Sequence, residues 1–586
     1  MLFGIQREDA FLISTTPGAL PSSMKSDFCF WRWYVYLGLR NRSEQSLREE
    51  SSDVVIKEPV LKWWDYCVFG LLSVVNLAAI SYFLRQWFSS ASWQADSVVV
   101  WLFTLQIVYW LGTQQFRWFL IPLIRKPRPM DARSGWKVGV ATTFVPGLES
   151  FAMLEKTVFA LVGLKYPHET WVLDEGDSEE VKALCCRLGV RHFTRKHLPQ
   201  YQTASGRYAA RTKHGNYNAW FTEVGCTTYD LIAVFDPDHV PYPEFLAQVL
   251  GFFNDPDIGY VQTPQVYYNQ DASFIARGAA EETYNYYSVT QTASYNLGFP
   301  IVVGCHNTHR VTALKEVGGF PAHDADDLLI TYLYRAAGWQ GVYHPEILAK
   351  GLTPVDWPGY LIQQLRWARS VLDVKFRSFP KLAGRLPWRT RVLSALHGLF
   401  YVQEGIIGLL SVCLLAFMLV TGATPKFLTI TTLAHMVVMG AVLQLTAFYP
   451  QRFYLDVRRE WGLHWRVGLL RWGKWPYILV GFLGAAINHK VPYTLTVKVK
   501  TTSKPSMLLV PHAIVVTALI VAWVIGTLLG RQLHPLLLSG VAFTIVMSIG
   551  LMWTATWRVP DPFESKIWSK EFCSLSQKTM HLESWV

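Results

Sequence analysis

Two aspartates one residue apart follow a short apolar run in Phe235-Asp236-Pro237-Asp238-His239. The run Leu231 to Phe235 reads as a strand, so Asp236 and Asp238 stand at a strand end. Carboxylates so placed can share a hard divalent cation, and that cation can hold a diphosphate. Taken alone, an Asp-x-Asp is more often a solvated turn. Upstream, Trp171-Val172-Leu173-Asp174-Glu175-Gly176-Asp177 is a second strand running into an acidic turn, with Asp174 placed to accept a hydrogen bond from a base edge. Between the two stands Lys213-His214-Gly215-Asn216, where a lysine before a glycine turn could neutralise a phosphate, or form an ordinary surface turn. Further on, Asp324-Ala325-Asp326-Asp327 opens an apolar helix. Capping and the helix dipole account for Asp324 and Asp326 equally well. Asp327 is the candidate base for an attacking hydroxyl. In Gln363-Gln364-Leu365-Arg366-Trp367, Gln363 and Arg366 share a helical face. The arginine can hold a leaving diphosphate and Trp367 can offer a flat face to a sugar ring. Amphipathic packing at a membrane surface is the competing explanation.

The elements that must position these residues are legible as short apolar strands alternating with helical stretches. Val138 to Thr142, Thr170 to Leu173, Leu231 to Phe235 and Gly259 to Gln262 read as strands of a parallel α/β sheet, which binds ligands at the carboxyl ends of its strands. Residues 131–356 are expected to form this domain. Around it lie runs long enough to span a bilayer, for which about 20 apolar residues are needed: Tyr66 to Leu84, Ser97 to Phe116, Gly405 to Thr421, Phe427 to Tyr449, Leu508 to Leu529 and Leu536 to Thr556. Two stretches, Trp357 to about Leu382 and Trp461 to Ile487, mix tryptophan with arginine and lysine and read as amphipathic interface helices. The expected organisation is a poorly ordered tail (1–60), two spans (61–130), the α/β domain (131–356), interface helices (357–402), two spans (403–450), an interface helix with a loop (451–506), two spans (507–558) and a tail (559–586).

Composition agrees with a membrane protein. Half of the 586 residues are hydrophobic (51%) and 17% are charged, against about 25% in soluble proteins. The net charge of +11 suits an anionic membrane surface, and the length of the apolar runs argues against nucleic acid. Basic residues cluster in Arg125 to Arg133, Arg452 to Arg466 and Lys498 to Lys504, whereas the opposite loops carry only Arg85, Lys426 and Arg531. The α/β domain and both termini are therefore expected on the cytoplasmic side of the inner membrane. Residues 1–18 lack a signal-peptide pattern. The eight cysteines fit no zinc or disulfide framework, and adjacent Cys185 and Cys186 read as buried thiols.

The ordered set resembles the processive glycosyltransferases of family 2, most closely the bacterial cellulose synthase catalytic subunits. Those proteins show an Asp-Asp-Gly turn, a Lys-Ala-Gly-Asn turn, an Asp-x-Asp, a Thr-Glu-Asp and a Gln-x-x-Arg-Trp. Here the corresponding residues are Asp174-Glu175-Gly176, Lys213 to Asn216, Asp236-Pro237-Asp238, Ala325-Asp326-Asp327 and Gln363 to Trp367. Tyr493-Thr494-Leu495-Thr496-Val497-Lys498 resembles the family's Phe-x-Val-Thr-x-Lys gating loop. The resemblance implies a glycosyltransferase A-type α/β domain between about six membrane helices. It further implies uracil contact by Asp174, diphosphate binding by Lys213, Asp236, Gln363 and Arg366, Mg²⁺ or Mn²⁺ held by Asp238 with Asp236, and Asp327 as general base. Trp367 would support the acceptor sugar, and Tyr493, Thr496 and Lys498 would close over the nucleotide. The implied activity is processive, inverting polymerisation of a β-linked polysaccharide, foremost a cellulose-like β-glucan from UDP-glucose, with export through the membrane, with or without a partner protein. Synthesis of β-1,3-glucan, mannan, chitin or hyaluronan, or non-processive transfer to a lipid carrier, are the alternatives. Departures from the family pattern are Glu175, Ala325-Asp326, Thr143 to Glu149 in place of Thr-Tyr-Asn-Glu, and Gly304-Cys305-His306-Asn307 in place of a Cys-Gly-Ser segment.

Overall fold

The computed structural model describes residues 53–89, 97–423, 425, 427–489 and 508–557. The described residues from Val55 onward pack as one unit. Residues 493–498, the expected gating loop, and the expected C-terminal tail lie outside the described residues.

The centre of the molecule is a seven-stranded sheet: β1 (Val138–Phe144), β2 (Glu169–Asp174), β3 (Arg191–Phe193), β4 (Leu231–Phe235), β5 (Ile258–Gln262), β6 (Asn307–Arg310) and β7 (Gln340–Tyr343). Their spatial order is β7-β5-β6-β4-β1-β2-β3. β3, β2, β1 and β4 run parallel, as do β5 and β7, and β6 alone is antiparallel to its neighbours. Every residue of β1, β4 and β5 is buried. That explains their unbroken apolar runs, because a parallel strand covered on both faces needs no polar alternation. The expected strands therefore form, each within two residues of its expected limits.

Eleven helices position the site or flank it: α1 (Trp63–Phe88), α2 (Ser97–Leu120), α3 (Lys213–Trp220), α4 (Phe274–Asn285), α5 (Asp326–Ala336), α6 (Trp357–Asp373), α7 (Leu399–Thr421), α8 (Ile430–Thr446), α9 (Trp465–Ala486), α10 (Val510–Leu528) and α11 (Pro535–Thr554). Among the described residues, five helices are long and apolar enough to cross a membrane, namely α1, α7 with the short helix Trp388–Leu396 before it, α8 with the turn after it, α10 and α11. The sixth expected span, α2, forms as a helix of 24 residues. Gln106, Gln114, Gln115 and Arg117 dilute its apolar run, and it falls outside those five. The chain is thus an α/β domain joined to a membrane-integral helical part.

Small residues let the two parts meet. A methyl group on Gly481 of α9 would lie 3.2 Å from Ala368 Cβ and from the α6 backbone, and one on Gly405 of α7 would lie 2.9 Å from the α9 backbone at Leu479. Such close approach is how helices associate where burial from water offers little driving force. Lys474 of α9 is 5% exposed. It donates to Glu282 on α4 (2.8 Å) and to Gln364 on α6 (3.2 Å), and Glu404 of α7 lies 3.7 Å away. One buried cation therefore ties the α/β domain to three helices beyond its sheet.

Two local readings need correction. The stretch read as an unordered tail ends in a strand, since Lys57–Pro59 pairs antiparallel with Arg125–Pro127. Cys186 is exposed while Cys185 is buried, because consecutive helix residues point about 100° apart.

The acidic turn after β2 depends on Arg195, which is fully buried. Its guanidinium donates to both carboxylate oxygens of Glu175, at 2.9 and 2.7 Å, and to the Tyr201, Tyr208 and Ala209 carbonyls. Replacing it leaves the Glu175 carboxylate without its buried cation, with only the Arg211 amide still donating to it, a loss of about 3–5 kcal/mol for a broken buried pair. Arg195→Met should therefore lower the thermal unfolding midpoint of the detergent-solubilised protein markedly, whereas exposed Arg128→Met should leave it within a degree or two.

Candidate functional site

The sheet topology gathers the acidic turns at one edge. The chain leaves β1, β2, β4 and β5 at the same end, and antiparallel β6 begins there, with Asn307 paired to both Val234 and Gln262. The segment Lys213–Asn216 is not a surface turn but the first turn of buried α3. Thr212 caps it by accepting from the Gly215 amide at 3.2 Å. A side chain at Gly215 would strike the Ala209 carbonyl, so glycine is required there. Asn216 donates to the Leu173 carbonyl at the end of β2 (2.9 Å), and the Tyr217 hydroxyl donates to the Phe235 carbonyl at the end of β4 (3.1 Å). Helix α3 thus straddles two strand ends and sends Lys213 to the next carboxylate.

Lys213 Nζ donates to Asp236 Oδ1 (2.5 Å) and to the Gly304 carbonyl (2.6 Å). Burial works against its charge, but Asp236, Tyr217 and Asp326 outweigh that and hold its pKa well above the usual lysine value. Asp238 is 6% exposed, and its Oδ1 lies 3.0 Å from His239 Nδ1. Ligand atoms of Asp236, Asp238 and His239 lie within 4.8 Å of one another. Oxygen donors so grouped suit a hard divalent cation.

Asp327 sits in the first turn of α5, where its Oδ1 accepts from the Leu328 amide at 2.7 Å. Asp326 accepts from the Asp327 amide at 3.0 Å, so both carboxylates take part in local capping. Burial, reinforced by neighbouring Asp326, pushes the Asp327 pKa up to about 7. Gly304, at a φ of +77°, brings its backbone close to this carboxylate: a Cβ there would be 3.4 Å from Asp327 Oδ2.

A single cavity of about 1470 Å³ joins these groups. Its wall includes Lys213, Asp236, Asp238 and Asp327, then Gln363, Arg366 and Trp367 of α6. It continues past Tyr109 and Arg117 of α2, Tyr401 and Glu404 of α7, and Arg471 and Lys474 of α9. Of the described candidate residues, only Asp174 is left out. It is fully buried, and its two carboxylate oxygens accept from the Gly176 (2.8 Å) and Ser178 (2.5 Å) amides. The structure thus corrects its expected role: the carboxylate is spent shaping the turn, and Glu175 and Gly176 reach the cavity instead.

Glu149 carries no motif signal of its own, yet it lines the cavity. Its Oε2 accepts from the Val145 amide at 2.7 Å. Burial pushes its pKa up to about 8, with Asp238 and Asp236 adding to the effect. Sequence alone offered only its place after β1, at the sheet edge that binds ligands.

Residues 140–370 match the model of the glycosyltransferase like family 2, so this part of the chain resembles the family 2 glycosyltransferases, as the motifs suggested. The chain is 28% identical over 357 residues to cellulose synthase 1 of Komagataeibacter xylinus, covering 58% of this chain and 22% of that protein. It is 28% identical over 313 residues to the UDP-forming cellulose synthase catalytic subunit of Xanthomonas axonopodis pv. citri, covering 51% and 40%. A second K. xylinus protein, the cellulose synthase 1 catalytic subunit, is 26% identical over 385 residues, covering 62% and 49%. The chain thus spans about half or less of the length of these relatives. Among solved structures, the mannosyltransferase PcManGT of Pyrobaculum calidifontis, in complex with GDP-Man and Mn²⁺, aligns with a TM-score of 0.45 and 16% identity over 67% of this chain and 99% of that one.

The Glu149 environment makes a signed prediction. A carboxyl whose pKa rises from 4.5 in the unfolded chain to about 8 in the folded one stabilises the fold fully only below 4.5. That contribution is lost progressively as pH rises through 8. In metal-free buffer, the thermal midpoint of the wild type should therefore fall relative to that of Glu149→Gln between pH 5 and 9. A constant difference between the two would contradict the assigned environment.

Proposed function

We propose that this protein is a processive, inverting glycosyltransferase that extends a β-linked polysaccharide from a UDP-sugar and passes it across the membrane. UDP-glucose and a cellulose-like β-glucan are the foremost donor and product. The observation that carries this reading is the cavity. Its about 1470 Å³ exceeds the roughly 300–1,000 Å³ of a pocket for one small ligand. It runs from the acidic strand ends to polar residues on helices of the membrane part. That is room for a nucleotide sugar and for several units of an acceptor chain.

Asp236 and Asp238 would hold Mg²⁺ or Mn²⁺, which when bound neutralises the donor diphosphate. Their carboxylates fit that task, with His239 Nδ1 orienting Asp238 and Lys213 offsetting the charge on Asp236. Asp327 takes the proton from the acceptor hydroxyl. The freed oxygen attacks the anomeric carbon opposite the departing UDP, and an α-linked donor becomes a β linkage. Arg366 and Gln363 meet the diphosphate, and Trp367 stacks on the terminal sugar at the mouth of the channel. Tyr493, Thr496 and Lys498 close over the bound nucleotide. The relatives named as UDP-forming cellulose synthase subunits support the donor and the polymer. The basic loops support a cytoplasmic catalytic domain with both termini on the same side, at the inner membrane. Growing polysaccharide and membrane lipids are the remaining partners, together with any protein that completes export.

Full-length protein in lipid vesicles should convert one UDP-sugar, foremost UDP-glucose, into a long polymer in the presence of Mg²⁺ or Mn²⁺. Chelation should stop it, and Asp327→Asn should slow it by about 10²–10⁴-fold, the usual contribution of a general base. Linkage-specific glycosidases would name the product. Transfer of single sugars to lipid, or no turnover with any donor, would overturn the processive reading.

The pH profile follows from the Asp327 environment. A carboxyl with a pKa near 7 cannot accept a proton while it carries one. The turnover rate should therefore rise with pH and level off above 7, standing about tenfold below its plateau at pH 6. A flat profile between pH 5.5 and 8 would remove Asp327 as the base.

A further inference from the structure

Because β6 is antiparallel, the residues just before it lie beside the turn that follows β4. Cys305 and His306 are thereby delivered against His239. All three are buried, at 1%, 0% and 0% exposure. Their ligand atoms lie within 4.8 Å of one another, and His239 Nε2 is 3.6 Å from Cys305 Sγ. In a tetrahedral zinc site, bonds of about 2.1 Å to nitrogen and 2.3 Å to sulfur give an N···S edge of about 3.6 Å.

The His239 ring is set for ligation. Its Nδ1 faces Asp238 Oδ1 at 3.0 Å, and its Nε2 faces the Gln265 amide nitrogen at 3.1 Å. An amide nitrogen only donates, so Nε2 carries the lone pair and accepts this bond while Nδ1 carries the hydrogen, and a metal on Nε2 would displace the Gln265 amide. A metal-bound histidine usually donates its second ring N–H to a carboxylate in this way. His306 gives the independent sign. Its ring is fully buried and its one polar partner is the Pro264 backbone carbonyl, so one ring nitrogen donates there, as a metal-bound histidine usually does, and the other is left for a ligand. Its backbone is also held at a φ of +53°, a conformation uncommon for a residue other than glycine.

We propose that His239, Cys305 and His306 form a second metal site, for a thiophilic divalent cation such as zinc, behind the Asp236–Asp238 turn. The cation takes a lone pair from each imidazole and from the Cys305 thiolate, and the thiol proton leaves to solvent. Soft sulfur with two imidazoles favours zinc over Mg²⁺ or Mn²⁺, which prefer the neighbouring oxygen donors. The bound ion would pin the Asp238 turn to the start of β6. There the Gly304 carbonyl receives Lys213, so the clamp would hold both halves of the site in register. Among the described residues, no other cysteine belongs to a group of potential ligands.

The test is spectroscopic and reads no sugar transfer, so its outcome is independent of the proposed activity. Full-length protein purified in detergent should carry about one equivalent of zinc per chain by mass spectrometry of the metal. Protein produced in cobalt-supplemented medium should show a near-ultraviolet thiolate-to-cobalt charge-transfer band. Cys305→Ser should abolish the band and His306→Ala should release the metal, while Asp236→Asn, which alters the oxygen-donor pair and its bond with Lys213 but none of the three proposed ligands, should retain both. Folded wild type without zinc and without the band overturns the proposal, whatever the folding of the variants. A band that persists in folded Cys305→Ser also overturns it.

Discussion

Carboxylates crowd the binding edge of the sheet, and Lys213 is the cation that makes their company tolerable. Asp236, Asp238, Asp326, Asp327 and Glu149 all reach one cavity. Like charges brought together out of water repel strongly, and some must either stay protonated or find a cation. Both outcomes occur. Lys213 neutralises Asp236, while Asp327 and Glu149 hold their protons to unusually high pH. The same crowding groups oxygen donors as a hard divalent cation needs and leaves the Asp327 carboxyl titrating near neutrality. The supports of α3 follow from this need. Asn216 and Tyr217 tie the helix to two strand ends so that the lysine arrives where the charge is greatest.

A second buried cation plays the corresponding part where the catalytic domain meets the membrane part. Lys474 draws together Glu282, Glu404 and Gln364 from three different helices. Gly405 and Gly481 allow the backbones to approach closely, and Gly473 beside the lysine makes room for the Trp357 ring. Charged side chains at such a junction are expensive unless they pair or face water. Here they do both, because Glu282, Glu404, Gln364 and Lys474 also line the cavity. The cavity beyond Trp367 is therefore polar as well as aromatic.

Much of the site could be read from spacing because its residues belong to turns that directly follow apolar strands. Asp236 and Asp238 after β4, Asp327 at the start of α5, and Gln363, Arg366 and Trp367 on one stretch of α6 all reach the cavity from their expected positions. Asp174 shows the limit of such reasoning. Its place at a strand end is as expected, but its carboxylate turns inward to accept two amides. Spacing locates a side chain on an element and says little about which of its hydrogen-bonding options it takes. The lysine motif shows the same limit from the other side, since a glycine that reads as a turn is here the point where a helix passes close to a carbonyl.

By itself, the sequence determined the class of the protein: an α/β domain of acidic strand ends set among apolar helices. Period, run length and charge are properties of short segments, and these survive in the linear chain. Which groups share one space was decided only by the tertiary structure. The antiparallel insertion of β6 brings Cys305 and His306 to His239 across more than sixty residues. The packing of α9 against α6 and α7 likewise extends the site into the membrane part, and Glu149 enters it without any motif. Those juxtapositions depend on strand order and helix contacts. A linear pattern does not encode these separately from the fold.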